Sequence, residues 1–372
     1  GAEVRVLDLV VYPYSEAMLA RALDEFKPDL VGLTAVTMNV DRALALAGDV
    51  KRLAPETATV MGGPHVTFSA RETLEACPAL DVVVLGEGEQ TLVELCHTLD
   101  NGKSLDTVKG IAFRSEQGIR FTPHRSSIRN LDDLPMPARH LLPLGRYRAL
   151  GMPVSMTTSR GCPHACIFCV GRRMVGARVR VHSPVRVVDE MEQIARLGFH
   201  QINLADDLFT ADRRRCAAVC DEILRRGLQT QWTSFARVDT VSEDLLRRMK
   251  AAGCTAVSFG IETANSGILQ TIRKGITLDQ VVSAIDMCAR AGVTPCASFI
   301  LGLPGETPDT LRETLDFGKR LGDKGLIYGF HFLAPFPGTD VREHAPELGL
   351  HIRTSDWSDY HANRAVAETA TV

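Results

Sequence analysis

An α/β protein of two units is what the sequence predicts: a doubly wound sheet followed by a six-stranded partial (β/α) barrel. Three observations carry that expectation. Short apolar runs rich in β-branched residues alternate with helical stretches from end to end, the pattern of parallel strands joined by helical crossovers. The chain has 372 residues, too many for one ordinary domain. A proline-bearing stretch, Leu131-Asp-Asp-Leu-Pro135-Met-Pro137, running on to Pro143, splits the alternation into two series.

In the first series the strands read Val4–Leu9, Leu30–Val36, Thr59–Gly62 and Asp81–Leu85. The helices between and after them fall at about Ser15–Phe26, Asp41–Leu53, Thr67–Ala76 and Glu89–Leu99. Pro28 and Pro55 stand just ahead of strands, where helices have already ended. Gly110–Phe113 and Ile119–Thr122 flank Gly118 as a small hairpin. The second series has strands at Val154–Thr158, Gln201–Asp206, Thr230–Ala236, Ala256–Ile261, Pro295–Leu301 and Ile327–Leu333. Helices follow at about Pro184–Leu197, Asp212–Arg226, Ser242–Ala252, Leu278–Ala291 and Pro308–Leu321. A full eightfold barrel typically needs about 250 residues, so six strands in this space indicate a partial one. The expected division is 1–127, a linker at 128–150, a barrel at 151–340 and a tail at 341–372, to which no fold is assigned. The chain opens on Gly1 rather than Met and soon enters an apolar run, so residues are expected ahead of it.

Composition narrows the function. Hydrophobic residues make up 45% and charged residues 23%, enough apolar material for a core and too much for a disordered chain. Lys and Arg (42) nearly balance Asp and Glu (45), so charge gives no reason to expect nucleic acid as a partner. No apolar run approaches the ~20 residues that span a bilayer and no signal peptide is visible, which points to a cytoplasmic protein without a transmembrane segment.

Three of the ten cysteines crowd into one loop, Ser159-Arg-Gly-Cys162-Pro-His-Ala-Cys166-Ile-Phe-Cys169, directly after the first barrel strand. Clustered thiols in a cytosolic chain indicate metal or redox chemistry. Three thiolates can hold three irons of a cubane 4Fe-4S cluster and leave the fourth iron open, whereas four cysteines would close it. The loop lies at the C-terminal end of a barrel strand, where barrel active sites form. Structural zinc would want a fourth ligand, for which His164, inside the loop, is poorly placed. Packing cysteines would not keep company with Arg160, Gly161, Pro163 and His164. The remaining cysteines, including Cys216 and Cys220 on one helix, read as small core hydrophobes.

On these residues the chain resembles the radical S-adenosylmethionine superfamily: Cys162-x-x-x-Cys166-x-Phe168-Cys169 is similar to its signature, aromatic before the last cysteine included. The resemblance covers about residues 150–340. It implies that Cys162, Cys166 and Cys169 ligate the cluster, that S-adenosylmethionine chelates the open iron, and that a 5′-deoxyadenosyl radical follows from its reductive cleavage. It further implies contacts to S-adenosylmethionine from Phe168, from Asp206 or Asp207 (ammonium), from Arg237 (carboxylate), from Ser258 and Glu262, and from Gly302 and Gly305 near the adenine. The alternative for the aspartates is a helix N-cap, and for Arg237 a surface salt bridge. Residue alternation sets Ser258, Gly260 and Glu262 on one face of their strand. Phe332-Leu-Ala-Pro335-Phe-Pro337-Gly338-Thr339 resembles the sixth-strand ending of the cobalamin-linked branch; His331, just before it, reads equally as a substrate-facing or a core histidine.

A second resemblance lies in the first unit. Leu30-Val-Gly-Leu-Thr34-Ala-Val-Thr37, Met61-Gly62-Gly63-Pro-His65-Val-Thr67 and Leu85-Gly86-Glu87-Gly88-Glu89 are similar to the cobalamin-binding domain that precedes many such barrels. It implies cobalamin contacts at Thr34, Thr37, Gly62, Gly63, His65, Gly86, Glu87 and Gly88. Strand-end glycines let backbone approach a bulky cofactor, and helix N-termini offer amides to its phosphate. His65 is expected to line the cofactor loop and not to ligate cobalt, because the Asp-x-His-x-x-Gly motif of histidine-ligated cobalamin proteins is missing. Relatives begin with a further strand and helix, so a central strand is expected to be absent here, leaving open sheet edges and cobalamin affinity in question.

The function implied is methylation of an unactivated carbon of a small molecule by a cobalamin-dependent radical enzyme supplied by an external electron donor of flavodoxin or ferredoxin type. Oxidative cyclisation is the alternative, since Gly62-Gly63-x-His65 and Leu141-Leu-Pro143 resemble the anaerobic magnesium-protoporphyrin monomethyl ester cyclase group. A non-catalytic cobalamin sensor would have no use for the cysteine triplet. A tRNA methylthiotransferase would carry further cluster cysteines, a set that Cys77 and Cys96 do not form.

Overall fold

The computed structural model describes residues 2–372. The first elements are α1 (Glu16–Phe26), β1 (Leu30–Thr34), α2 (Val40–Leu53), β2 (Ala58–Gly62), α3 (Pro64–Phe68), α4 (Ala70–Ala76), β3 (Val82–Val84), α5 (Glu89–Asp100), β4 (Ile111–Ser115) and β5 (Gly118–Phe121). Their sheet runs β1-β2-β3-β4-β5, with β1, β2 and β3 parallel and β4–β5 the antiparallel hairpin. Helices cover both faces. Met61, Val66, Leu74 and Val83 form one apolar layer; Val60, Val82, Leu95 and Ile111 form the other. Ser15 starts α1 by accepting from the Met18 N–H. The helix expected at Thr67–Ala76 is broken at Ser69 into α3 and α4.

Val4–Leu9 is not a strand, contrary to expectation. It pairs with no strand among the described residues, and Val4, Val6 and Leu7 are exposed. Instead, the Asp8 carboxylate accepts from the Tyr147 hydroxyl at 2.6 Å and the Val11 carbonyl from Arg146 at 3.0 Å, which draws the segment across to the second unit. A β-prone sequence needs a neighbouring ladder to become a strand, and this one has none. No gap opens inside the sheet; β1 lies at its margin and is partly exposed.

The second unit follows through α6 (Leu144–Ala149), β6 (Val154–Met156), β7 (Ser159–Arg160), α7 (Gly171–Val175), β8 (Arg180–Val181), α8 (Pro184–Arg196), β9 (Gln201–Leu204), α9 (Arg213–Arg226), β10 (Gln231–Ala236), α10 (Glu243–Ala251), β11 (Cys254–Glu262), α11 (Ser266–Thr271), α12 (Leu278–Ala291), β12 (Thr294–Leu301), α13 (Pro308–Gly322) and β13 (Ile327–Phe332). β6, β9, β10, β11, β12 and β13 form one parallel sheet in that order, the six strands expected. Alternation splits each strand. On β10, Trp232, Ser234 and Ala236 are buried toward the helices, while Thr233 and Phe235 face the interior of the curve. Trp232 anchors the core, edge-on to Phe209 and donating from Nε1 to the Ala252 carbonyl at 2.8 Å. Cys216, Cys220, Cys254 and Cys288 are buried in this core, as small hydrophobes are.

The tail does fold. After α14 (Asp340–Glu343) it forms β14 (Leu350–Ile352), antiparallel to β15 (Ala367–Thr369), with one 3-10 turn at Trp357–Asp359. Trp357 reaches back to the first unit, its ring 4.8 Å from that of His65 and nearly perpendicular to it. No helix among the described residues is long and apolar enough to cross a membrane.

Candidate functional site

The cysteine loop leaves the C-terminal end of β6 and is shaped by its backbone. Gly161 has φ +108°, and an added Cβ there would run into the Arg178 carbonyl. Only glycine passes this point without strain. The Cys162 N–H donates to the Gly176 carbonyl at 3.2 Å, and the Ile167 N–H to the Ile272 carbonyl at 3.2 Å. Ile167 is buried as the apolar pin of the loop. The Cys166 thiol lies 3.7 Å from the Arg273 carbonyl, and Cys169 Sγ accepts from the Gly171 N–H at 3.4 Å.

The three thiols feel one another electrostatically. Burial pushes Cys166 up, while Lys274 and then Arg237 pull it down. Burial also pushes Cys169 up, with the charges of Cys166, Cys162 and Asp207 adding to it. A cubane binds each cysteine to a different iron, so its sulfurs stand wider apart than the ligands of one ion. No three His, Cys, Asp or Glu side chains among the described residues gather around a single-ion position. Three thiols on one loop, an N–H···S bond to Cys169, and the empty Cβ position of Gly171, 3.0 Å from Asp207 Oδ1 and 3.5 Å from Cys169 Sγ, fit a cluster.

The two aspartates part company. Asp206 is buried and accepts from Thr158 Oγ1 and Ser159 Oγ at 2.6 Å each, and from the Thr158 N–H. Its carboxylate is thus committed to the start of the cysteine loop. Asp207 accepts only from the Gly161 N–H, at 3.2 Å, and stays exposed along one edge. Burial and then the Asp206 charge hold its carboxyl above the usual range. Neither caps a helix; Asp212 caps α9.

Arg237 is buried, not on the surface, and grips Asp239 through Nε at 3.0 Å and Nη2 at 2.9 Å. Nη2 also donates to the Gly275 carbonyl at 3.3 Å, and Nη1 has no hydrogen bond among the described residues. Ser258 is half-buried and carries no hydrogen bond there either. Glu262 is buried, adopts φ +72°, and accepts from Lys274 Nζ at 2.6 Å. A register shift between Gly260 and Glu262 brings that carboxylate over Gly260, where a Cβ would clash with it and stand 2.8 Å from Lys274 Nζ. Lys274 Nζ lies 5.8 Å from the centre of the Phe168 ring. Sequence reasoning missed Lys274 and Asp239. For Asp239 the signal available was its place two residues after Arg237; for Lys274 the sequence offers none, since its partner lies 12 residues away on another element. Gly302 (φ +87°) and Gly305 (φ +84°) turn the loop after β12, which is held by the buried Glu306 accepting from the Gly302 and Leu303 N–H groups. Burial raises the Glu306 carboxyl to about 6.

On the first unit, Thr34, Gly62, Gly63, Gly86 and Gly88 gather at the ends of β1, β2 and β3. Gly63 (φ +115°) passes beneath Ala35, whose carbonyl would be 2.7 Å from an added Cβ. Thr67 Oγ1 accepts from the Gly86 N–H at 3.2 Å and ties two of these loops together. The open amides at the start of α5, which has no side-chain cap, fit a cofactor phosphate. Thr37 is buried, 3.3 Å from His65 Nδ1. Glu87 is engaged elsewhere: it accepts from the Ile128 N–H at 2.8 Å and pairs with Arg180 at 2.7 Å and Arg160 at 3.3 Å. Arg160 also pairs with Glu89.

His65 makes a testable case. It is buried against Trp357, and burial followed by Arg342 lowers its pKa from 6.5 to about 4. The unfolded chain therefore binds the extra proton first, and stability is lost as pH falls from 6.5 toward 4. Acid melts of the wild type and of His65→Gln should diverge in that window, with the variant flatter; parallel curves would put the titration elsewhere.

The comparisons with known proteins bear on the fold and the family. Residues 156–318 match the model of the Radical SAM superfamily, and residues 1–96 that of the B12 binding domain. The chain is 36% identical over 361 residues to an uncharacterized methyltransferase of Pyrococcus horikoshii, covering 96% of this chain and 78% of the relative. It is 33% identical over 368 residues to the anaerobic magnesium-protoporphyrin IX monomethyl ester cyclase of Cereibacter sphaeroides, covering 95% of this chain and 59% of that one. The Rubrivivax gelatinosus cyclase is 30% identical, with 65% of its length covered. In fold, the chain is similar to the radical S-adenosylmethionine methyltransferase TsrM from Kitasatospora setae, solved with cobalamin and a 4Fe-4S cluster bound. The TM-score is 0.83 at 22% identity, over 99% of this chain and 78% of that one.

Proposed function

This chain belongs to the cobalamin-dependent radical SAM methyltransferase family, and from that premise we propose that it methylates an unactivated carbon of a small molecule. The observation that carries the proposal is the cysteine loop at the end of β6, joined through Arg160 to the strand-end loop Gly86–Gly88 of the first unit. The bound groups, a 4Fe-4S cluster, S-adenosylmethionine and cobalamin, supply radical generation and a methyl donor.

The chain's own residues hold and orient them. Cys162, Cys166 and Cys169 ligate the cluster and leave one iron without a protein ligand. Asp207 accepts from the ammonium of S-adenosylmethionine, while Asp206 fixes the loop that carries the cysteines. Arg237, locked on Asp239, offers Nη1 to the carboxylate. Phe168, Ser258 and Glu262 face the methionine and ribose, and Gly302 and Gly305 the adenine. Thr34, Thr37, Gly62, Gly63, Gly86 and Gly88 line the cobalamin site. His65 and Glu87 brace that site through Trp357 and the arginines. An external one-electron donor of flavodoxin or ferredoxin type completes the cycle. None of the ten cysteines is joined in a disulfide, so the three of the loop stand as thiols able to take up iron.

Full chain reconstituted with iron, sulfide and cobalamin, given S-adenosylmethionine and a one-electron reductant under anaerobic conditions, should release 5′-deoxyadenosine, with S-adenosylhomocysteine alongside it when substrate is methylated. Release of neither would end this reading. Cyclisation is the second reading, favoured by the 33% identity to the Cereibacter sphaeroides cyclase; it yields 5′-deoxyadenosine alone. Arg237→Ala should weaken S-adenosylmethionine binding about tenfold, the scale of one charged hydrogen bond. Equilibrium binding checks this, and unchanged affinity would leave Arg237 a purely structural partner of Asp239.

A further inference from the structure

The cysteine loop is gripped between charges of opposite sign on its two sides. On the Cys166 side stands the ammonium of Lys274, buried, 2.6 Å from Glu262 and 5.8 Å from the Phe168 ring centre. On the Cys169 side stands the Asp207 carboxylate, separated from the sulfur by the missing side chain of Gly171. The chain goes to some length to place Lys274. Glu262 and Arg273 both take left-handed backbone angles, φ +72° and +54°, which non-glycine residues adopt only where the surrounding structure holds them there. Gly260 gives up a side chain so that the Glu262–Lys274 pair can cross the strand. The segment so fixed also carries the Ile272 and Arg273 carbonyls that meet Ile167 and Cys166.

We propose that Lys274 is a positioning and redox-tuning residue: its ammonium stabilises the extra negative charge taken up when the cluster is reduced, and Asp207 opposes it from the other side. Reduction adds one electron to a site already bearing three thiolates, so a neighbouring cation favours the reduced form and a neighbouring anion disfavours it. Lys274 follows Arg273, whose carbonyl lies 3.7 Å from the Cys166 thiol, and its ammonium lies 5.8 Å from the centre of the Phe168 ring, whereas its partner Glu262 stands back across Gly260 on β11. The inference rests on the cluster-binding reading above.

The test is an EPR-monitored redox titration of anaerobically reconstituted full chain. Iron and sulfide content of the wild type tests the underlying reading first; a wild type without a cluster sinks that reading, not the tuning. With a cluster present, Lys274→Met should lower the reduced-to-oxidised ratio at the wild-type midpoint at least tenfold, a negative shift of about 59 mV for a one-electron couple. Lys274→Arg should retain the wild-type midpoint. Asp207→Asn, nearly isosteric and still able to accept from the Gly161 N–H, should move the midpoint the other way. If Lys274→Met takes up too little iron, Glu262→Gln combined with Lys274→Met removes the orphaned carboxylate, and a smaller negative shift is expected. A midpoint unmoved or raised in Lys274→Met, or in its double variant with Glu262→Gln, at full iron content would overturn the proposal, as would a negative shift in Asp207→Asn.

Discussion

Asp206→Ala is expected to destabilise the protein far more than Asp207→Ala, although the two residues are neighbours with the same side chain. Asp206 is 3% exposed and takes hydrogen bonds from the Thr158 N–H, Thr158 Oγ1 and Ser159 Oγ. Removing the carboxylate strands three buried donors, each costing about 1–3 kcal/mol. The total is of order 3–5 kcal/mol, typical of breaking a buried charge network. At roughly 2–4 °C per kcal/mol for a unit of this size, the melting temperature should fall by about 10 °C. Ser159 leads directly into the cysteine loop, so iron uptake should fall as well. Asp207→Ala forfeits a single hydrogen bond at an exposed edge and should instead lose affinity for S-adenosylmethionine. Calorimetric melting with equilibrium binding separates the two, and equal melting temperatures would reverse the assignment of roles.

Cys166→Ala should abolish the visible iron–sulfur absorbance of reconstituted protein and most of its bound iron. A cubane held by three thiolates has no fourth protein ligand in reserve, and two are too few to retain it. Cys216→Ala is the control. That thiol lies in the helix-covered core, where hydrogen bonding to Cys220 and then burial push its pKa well up. Its loss should cost some stability and no iron. Equal iron content in Cys166→Ala and wild type would refute the ligand assignment.

The alternation of strand and helix made both sheets legible, because a buried parallel strand and its crossover helix each leave a local pattern. The strands of the second sheet stand within one or two residues of their expected places, and α12 spans Leu278–Ala291 as read. The cysteine loop was legible because all its chemistry lies in eight consecutive residues. Val4–Leu9 misled because β-propensity speaks only for the residues themselves, while a strand requires a partner ladder elsewhere in the chain. The tail was opaque for a related reason: Trp357 and Tyr360 gain their place from His65 and Arg342, contacts that no spacing announces. Asp206 and Asp207 look alike in sequence, and only the hydroxyls of Thr158 and Ser159, 48 and 47 residues away, tell them apart. Lys274 escaped notice likewise, since its partner Glu262 lies on another element.

Arg160 stands two residues ahead of Cys162, and its guanidinium is clasped by Glu87 and Glu89 across the junction. With Glu87 and Arg180 largely out of solvent, such a clasp resists screening by salt. The clasp therefore couples the position of the strand-end loop in the first half to the start of the cysteine loop in the second. Any swing of one half away from the other would have to open this clasp first, and the strain would be felt two residues from Cys162.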